Sequence, residues 1–122
     1  MTKFFKGLAA LLIALFAVGS LSACSAEKID MSAVAQVIDV RTPQEFSTGH
    51  LDGAVNIDIR DAGFAAEVDA LDHAANYVIY CHSGNRAGQA IEYMQGAGFT
   101  GTLTNAGGVD AAAAATGLAI VN

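Results

Sequence analysis

Tyr77-Val78-Ile79-Tyr80-Cys81-His82-Ser83-Gly84-Asn85-Arg86 is the stretch on which the fold turns. Its first four residues are aromatic or β-branched, Gly84 supplies a turn, and Ala87, Ala90, Ile91 and Met94 then recur at helical spacing. A strand over Tyr77–Tyr80 therefore passes through a short loop into a helix from about Arg86 to Gln95, stopped by Gly96 and Gly98. Cys81 falls at the carboxyl end of the strand, where α/β sheets carry their reactive groups. A loop that opens a helix turns several backbone N–H groups on one point. With the helix dipole these favour a thiolate or a bound anion.

The same alternation extends on both sides of this run. Val34 to Val40 is a mainly apolar, β-branched stretch of the kind that forms a buried parallel strand. Thr42-Pro43-Gln44-Glu45 follows it. Thr at the cap, Pro at the first helical position and Glu three residues after the cap form a capping box, so a short helix starts at Pro43 and ends at Gly49. Ala54 to Ile57 reads as a second strand, and Asp61 to Leu71 as a helix with Phe64, Val68 and Leu71 on one face. Thr102 to Thr104 reads as another strand and Gly107-Gly108 as a turn. Asp110 is a candidate cap for an Ala-rich last helix that ends before Gly117. Strands separated by helical stretches predict an α/β fold: a small, mostly parallel sheet of four to five strands with helices on both faces.

Of the 122 residues, the first 23 read as an export signal rather than as part of this fold. Lys3 and Lys6 precede an uncharged apolar run from Leu8 to Val18, too short to span a bilayer comfortably. Leu21-Ser22-Ala23-Cys24 then resembles the lipobox of bacterial lipoproteins. That resemblance implies cleavage before Cys24, lipidation of Cys24 and attachment to the cell envelope on the exported, periplasm-facing side. Ser25, rather than Asp, follows the cysteine, which favours an outer membrane where the host has two. The expected organisation is a signal over 1–23, a lipidated start and short tether over 24–32, and one domain over 33–122. Beyond the signal, Lys28, Arg41, Arg60 and Arg86 stand against 12 acidic residues, a balance that argues against nucleic acid as a partner. With Cys24 lipidated, Cys81 is the only free thiol, so an internal disulfide and a Cys-x-x-Cys redox pair are both excluded.

Four separated segments resemble the rhodanese family of sulfurtransferases. Ile38-Asp39-Val40-Arg41 with Glu45-Phe46 is similar to the first family signature, and Gly49-His50-Leu51-Asp52-Gly53-Ala54-Val55-Asn56-Ile57 to the second. Cys81-His82-Ser83-Gly84-Asn85-Arg86 resembles the active loop, and Gly107-Gly108 the paired glycines near the end. The resemblance implies that Cys81 is the catalytic nucleophile. Its thiolate takes sulfur from a small donor such as thiosulfate, becomes a persulfide, and passes the sulfur to cyanide, a thiol or a protein acceptor. His82, Ser83, Gly84, Asn85 and Arg86 are then the substrate-binding loop, and no metal or organic cofactor is required.

Two alternatives stand beside this one. Cysteine-based phosphatases, with arsenate reductases near them, share the geometry but need five residues between Cys and Arg. Here there are four, a smaller loop that suits a sulfur atom better than a tetrahedral phosphate. A non-catalytic binding or redox-sensing module would keep the fold and use Cys81 only as an oxidisable thiol. Asp39 and Arg41 read as a supporting ion pair and His50 as a hydrogen-bonding partner of its turn. A metal site of His50, His82 and Cys81 has no recognisable ligand spacing. Few cations remain around the loop for an anionic donor.

Overall fold

The computed structural model describes residues 27–122. The expected signal over 1–23 and Cys24 lie outside them. A 3-10 turn over Met31–Ala33 leads into β1 (Val34–Asp39), α1 (Pro43–Ser47), β2 (His50–Leu51), β3 (Val55–Asn56) and α2 (Phe64–Asp69). Then come β4 (Asn76–Tyr80), α3 (Asn85–Gly96), β5 (Leu103–Asn105), α4 (Val109–Thr116) and β6 (Ile120–Val121). Among the described residues no helix is long and apolar enough to cross a membrane.

The expected architecture is present. Strands β3, β1, β4 and β5 lie side by side in that order, all parallel. β4, with Cys81 directly after it, is therefore a central strand. Pleating sends alternate residues to opposite faces. Ile38, Val40, Tyr77, Ile79 and Cys81 pack with Phe64 and Val68 of α2 and with Ala87, Ala90 and Met94 of α3. Val37, Val78 and Tyr80 pack on the other face with Leu51 and with Ala112 of α4. Each fully buried aliphatic side chain contributes about 1.5–3 kcal/mol, so two helix-covered faces give this small domain its stability.

Several local details differ from the sequence reading. β2 and β6 form a separate two-residue antiparallel ribbon, pairing His50 with Val121 and Leu51 with Ile120. α2 begins at Phe64 rather than Asp61 because short acidic side chains capture the preceding backbone: Asp58 accepts from Arg60 N at 2.9 Å and Asp61 from Gly63 N at 3.0 Å. Asp110 does not cap α4. Gly108 is its N-cap, with no side-chain cap hydrogen bond, and Asp110 lies in the first turn. Gly108 is required there by space, since a Cβ on it would overlap the His82 carbonyl oxygen.

Residues ahead of position 33 also touch the domain. Ile29 N donates to Ala115 O at 2.9 Å and Lys28 Nζ to Ala114 O at 2.7 Å, so residues assigned to the tether are held on the end of α4. Ile29 and Met31 pack against the same core face. A lysine on the last carbonyls of a helix also complements the negative end of its dipole.

Candidate active site

Cys81 lies at the centre of the sheet's carboxyl edge with no surface exposed to water. Its own amide donates to Gly107 O at 2.9 Å, which ties the start of the loop to the turn after β5. The chain then bends back through Gly84, at φ +95°, a left-handed conformation that side chains rarely adopt. That bend carries Gly84 N to 3.0 Å from Cys81 Sγ. Burial pushes the thiol pKa up, but amides of Ala87, Ser83, Gly84 and Arg86 stabilise the thiolate and hold the pKa below the ordinary thiol value. The first turn of α3 is thus an anion cradle made of main chain.

The side chains of the loop are deployed differently. His82, Ser83 and Asn85 are exposed at its mouth. Arg86 contributes its amide to the sulfur, while its guanidinium turns away to Glu45, with Nη1 to Oε1 at 2.7 Å and Nη2 to Oε2 at 2.9 Å. Glu45 is at the same time the third residue of α1 and half of the capping box. Glu45 N donates to Thr42 Oγ1 at 3.3 Å, and Thr42 N donates to Glu45 Oε1 at 3.3 Å. The Arg86 hydrogen bonds foremost hold the Glu45 carboxyl well down, at about 2. One carboxylate therefore joins the start of α1 to the active loop.

Asp39 and Arg41 lie on the face of Val37 and Tyr80, opposite Cys81 across the sheet. Asp39 is wholly buried and Arg41 nearly so. Arg41 Nη2 reaches Asp39 Oδ2 at 2.7 Å and Gly49 O at 2.7 Å, and its guanidinium lies 5.9 Å from the centre of the Tyr80 ring. The Tyr80 hydroxyl accepts from Leu51 N at 3.0 Å. This network fastens the loop after β1 to β2. Removing one partner of a buried pair of this kind costs about 3–5 kcal/mol. His50 stacks on Phe46 at 3.6 Å between ring centres and places Nδ1 2.8 Å from Phe46 O. It is thus engaged with α1, and none of its hydrogen bonds leads to Cys81.

Two contributors were not visible from sequence spacing. Glu45 announced its capping role, but its partner Arg86 is 41 residues away. Asn105, the last residue of β5, lies one position beyond the strand that the sequence predicts over Thr102 to Thr104. Its Nδ2 donates to Gly84 O at 3.0 Å and its Oδ1 accepts from Gly107 N at 2.9 Å. An asparagine two residues before a glycine turn is the local signal for such a bond.

Comparison with known proteins agrees with this arrangement. The rhodanese-like domain model matches residues 23–115. The thiosulfate sulfurtransferase PspE of Escherichia coli is 30% identical over 95 residues, covering 78% of this chain and 90% of that protein. The thiosulfate sulfurtransferase GlpE of Pseudomonas aeruginosa is 36% identical over 76 residues, covering 62% of this chain and 67% of that protein. Among solved structures, a rhodanese with anions from Escherichia coli is similar at a TM-score of 0.59 and 29% identity, over 71% of this chain and 96% of that one.

Proposed function

The chain belongs to the rhodanese-like domain family, and from that premise we propose that it is a sulfurtransferase that carries sulfur as a persulfide on Cys81. The observation that carries this reading is the main-chain cradle on the sulfur: a Gly84 amide at 3.0 Å and a thiol pKa lowered by four loop amides despite burial. An N–H cradle suits both states of the cycle, since the resting thiolate and the persulfide are each singly negative. With thiosulfate as donor, the Cys81 thiolate attacks the outer sulfur, a new S–S bond forms, and the old one breaks with its electron pair leaving on sulfite. Cyanide or a thiolate then attacks the outer sulfur of the persulfide, and the Cys81 thiolate is restored. Electrons and charge balance in both halves, so no cofactor is called for.

The site is arranged for sulfur rather than phosphate. The only guanidinium in the loop, on Arg86, is committed to Glu45 through two hydrogen bonds instead of being free for a tetrahedral oxyanion. The same fact bears on the donor. With Arg86 on Glu45 and Arg41 on Asp39, neither guanidinium is free to neutralise a dianion such as thiosulfate. A persulfide carried on a thiol of low charge is the better matched donor.

Incubating the purified protein with thiosulfate or a hydropersulfide, followed by intact-mass measurement and addition of cyanide, tests the assignment. One added sulfur is expected, released as thiocyanate and absent in Cys81→Ala. Failure of the wild type to gain sulfur from every donor overturns it. The proposal extends to place: the reaction is carried out on the exported side of a membrane, anchored through Cys24. Supporting this are Lys3, Lys6, the apolar run and Leu21-Ser22-Ala23-Cys24. Cys24→Ala is expected to release the protein from the membrane fraction, and equal retention of variant and wild type disproves the anchor.

A further inference from the structure

We infer that Asn105 is a positioning residue for Cys81: its carboxamide closes a ring of four hydrogen bonds that begins and ends on the cysteine and aims the Gly84 amide at the sulfur. The ring can be followed atom by atom. Cys81 N donates to Gly107 O at 2.9 Å, and Gly107 N donates to Asn105 Oδ1 at 2.9 Å. Asn105 Nδ2 donates to Gly84 O at 3.0 Å, and Gly84 N donates to Cys81 Sγ at 3.0 Å. The amide side chain supplies an acceptor on the Gly107 side and a donor on the Gly84 side at once.

The carboxamide lies close to two glycines. A Cβ on Gly84 would stand 3.6 Å from Asn105 Oδ1, and one on Gly88 would stand 3.7 Å from Asn105 Nδ2, both ordinary contact distances. The amide is thus packed directly on the start of α3. Gly84 O also accepts from Gly88 N at 2.9 Å, so Asn105 adds a second donor to the carbonyl that opens α3. The orientation of Gly84, and with it the direction of its N–H, is thereby fixed from β5 as well as from α3.

The sulfur is the softest acceptor in the ring. Removing the carboxamide leaves Cys81 N on Gly107 and Gly84 O on Gly88 N but releases Gly84 from β5, so the loss falls on the Gly84 contact with the thiolate. The inference rests on the sulfur-transfer reading only for the use to which the thiolate is put. Nothing in the arrangement requires Asn105 to touch substrate.

The pH dependence of Cys81 alkylation by iodoacetamide measures this without any sulfur donor. In Asn105→Ala and in the similarly sized Asn105→Leu, the alkylation midpoint is expected to rise by about one pH unit, roughly a tenfold loss of thiolate below the midpoint. Both variants are followed by thermal unfolding. A lowered unfolding temperature with an unchanged alkylation midpoint overturns the proposal, as does failure of both variants to fold, because either outcome makes Asn105 merely structural. Should the midpoint rise while the wild type takes up no sulfur from any donor, the sulfur-transfer reading falls and the positioning role stands.

Discussion

At the scale of single residues, the site depends on where charge is spent. Glu45 is the pivot: it answers the capping demand of α1 and also holds the Arg86 guanidinium that borders the loop. Its carboxyl is depressed from 4.5 to about 2, chiefly by Arg86. A depressed carboxyl contributes stability that is fully present above its unfolded value and is lost as pH falls toward its folded value. The contribution of Glu45 is therefore intact at neutral pH and disappears between about 4.5 and about 2. Because the pair is partly exposed, the expected cost of Glu45→Gln at pH 7 is modest, about 1 kcal/mol. Urea unfolding from pH 7 to pH 2 should show wild type and Glu45→Gln converging as the pH falls. A constant gap between the two curves contradicts this assignment.

At the scale of elements, the sequence declared those parts whose causes are local. The capping box fixed α1 at Pro43, and the β-branched runs found β1 and β4. The 3–4 spacing from Ala87 to Met94 found α3. What escaped was decided by contacts distant in the chain. The β2–β6 ribbon joins two dipeptides about seventy positions apart, and neither is long enough to show a period. The N-cap of α4 escaped because its residue is chosen by the loop beneath it: Gly108 rests on the His82 carbonyl, while Asp110 merely looked like a cap. Asn105 escaped for the same reason, its partners being Gly84 and Gly107. The paired glycines thus acquire a physical role as the seat of the active loop. Gly108→Ala is expected to push His82 outward, destabilise the fold by about 1–3 kcal/mol, and weaken sulfur loading more than the stability loss alone explains. Denaturant midpoints and sulfur gain by mass check both halves. Normal loading in a folded Gly108→Ala protein separates the glycine seat from the loop's function.

At the scale of the whole molecule, the cradle and the surface oppose each other. The loop amides attract an anion over the last few ångströms, whereas among the described residues four cations against 12 acidic residues make the approach unfavourable for one. Of those cations, Lys28 is bound to the end of α4, and Arg41 and Arg86 are neutralised in ion pairs. Attraction from aligned dipoles is short-ranged, while repulsion from net charge extends over a Debye length, about 10 Å at 0.1 M salt. The two are therefore separable by ionic strength. For thiosulfate, a dianion meeting like charge, kcat/KM is expected to rise several-fold between roughly 10 mM and roughly 150 mM salt as screening takes hold. A hydropersulfide, a monoanion at neutral pH, meets half that repulsion and should show a smaller rise over the same range. A fall in kcat/KM for thiosulfate with added salt means that the donor meets net positive potential, and a low-charge donor then has no electrostatic basis. A rise steeper for thiosulfate than for the monoanion ties donor choice to the acidic surface, with the proposed persulfide-forming step left to the amides around Cys81.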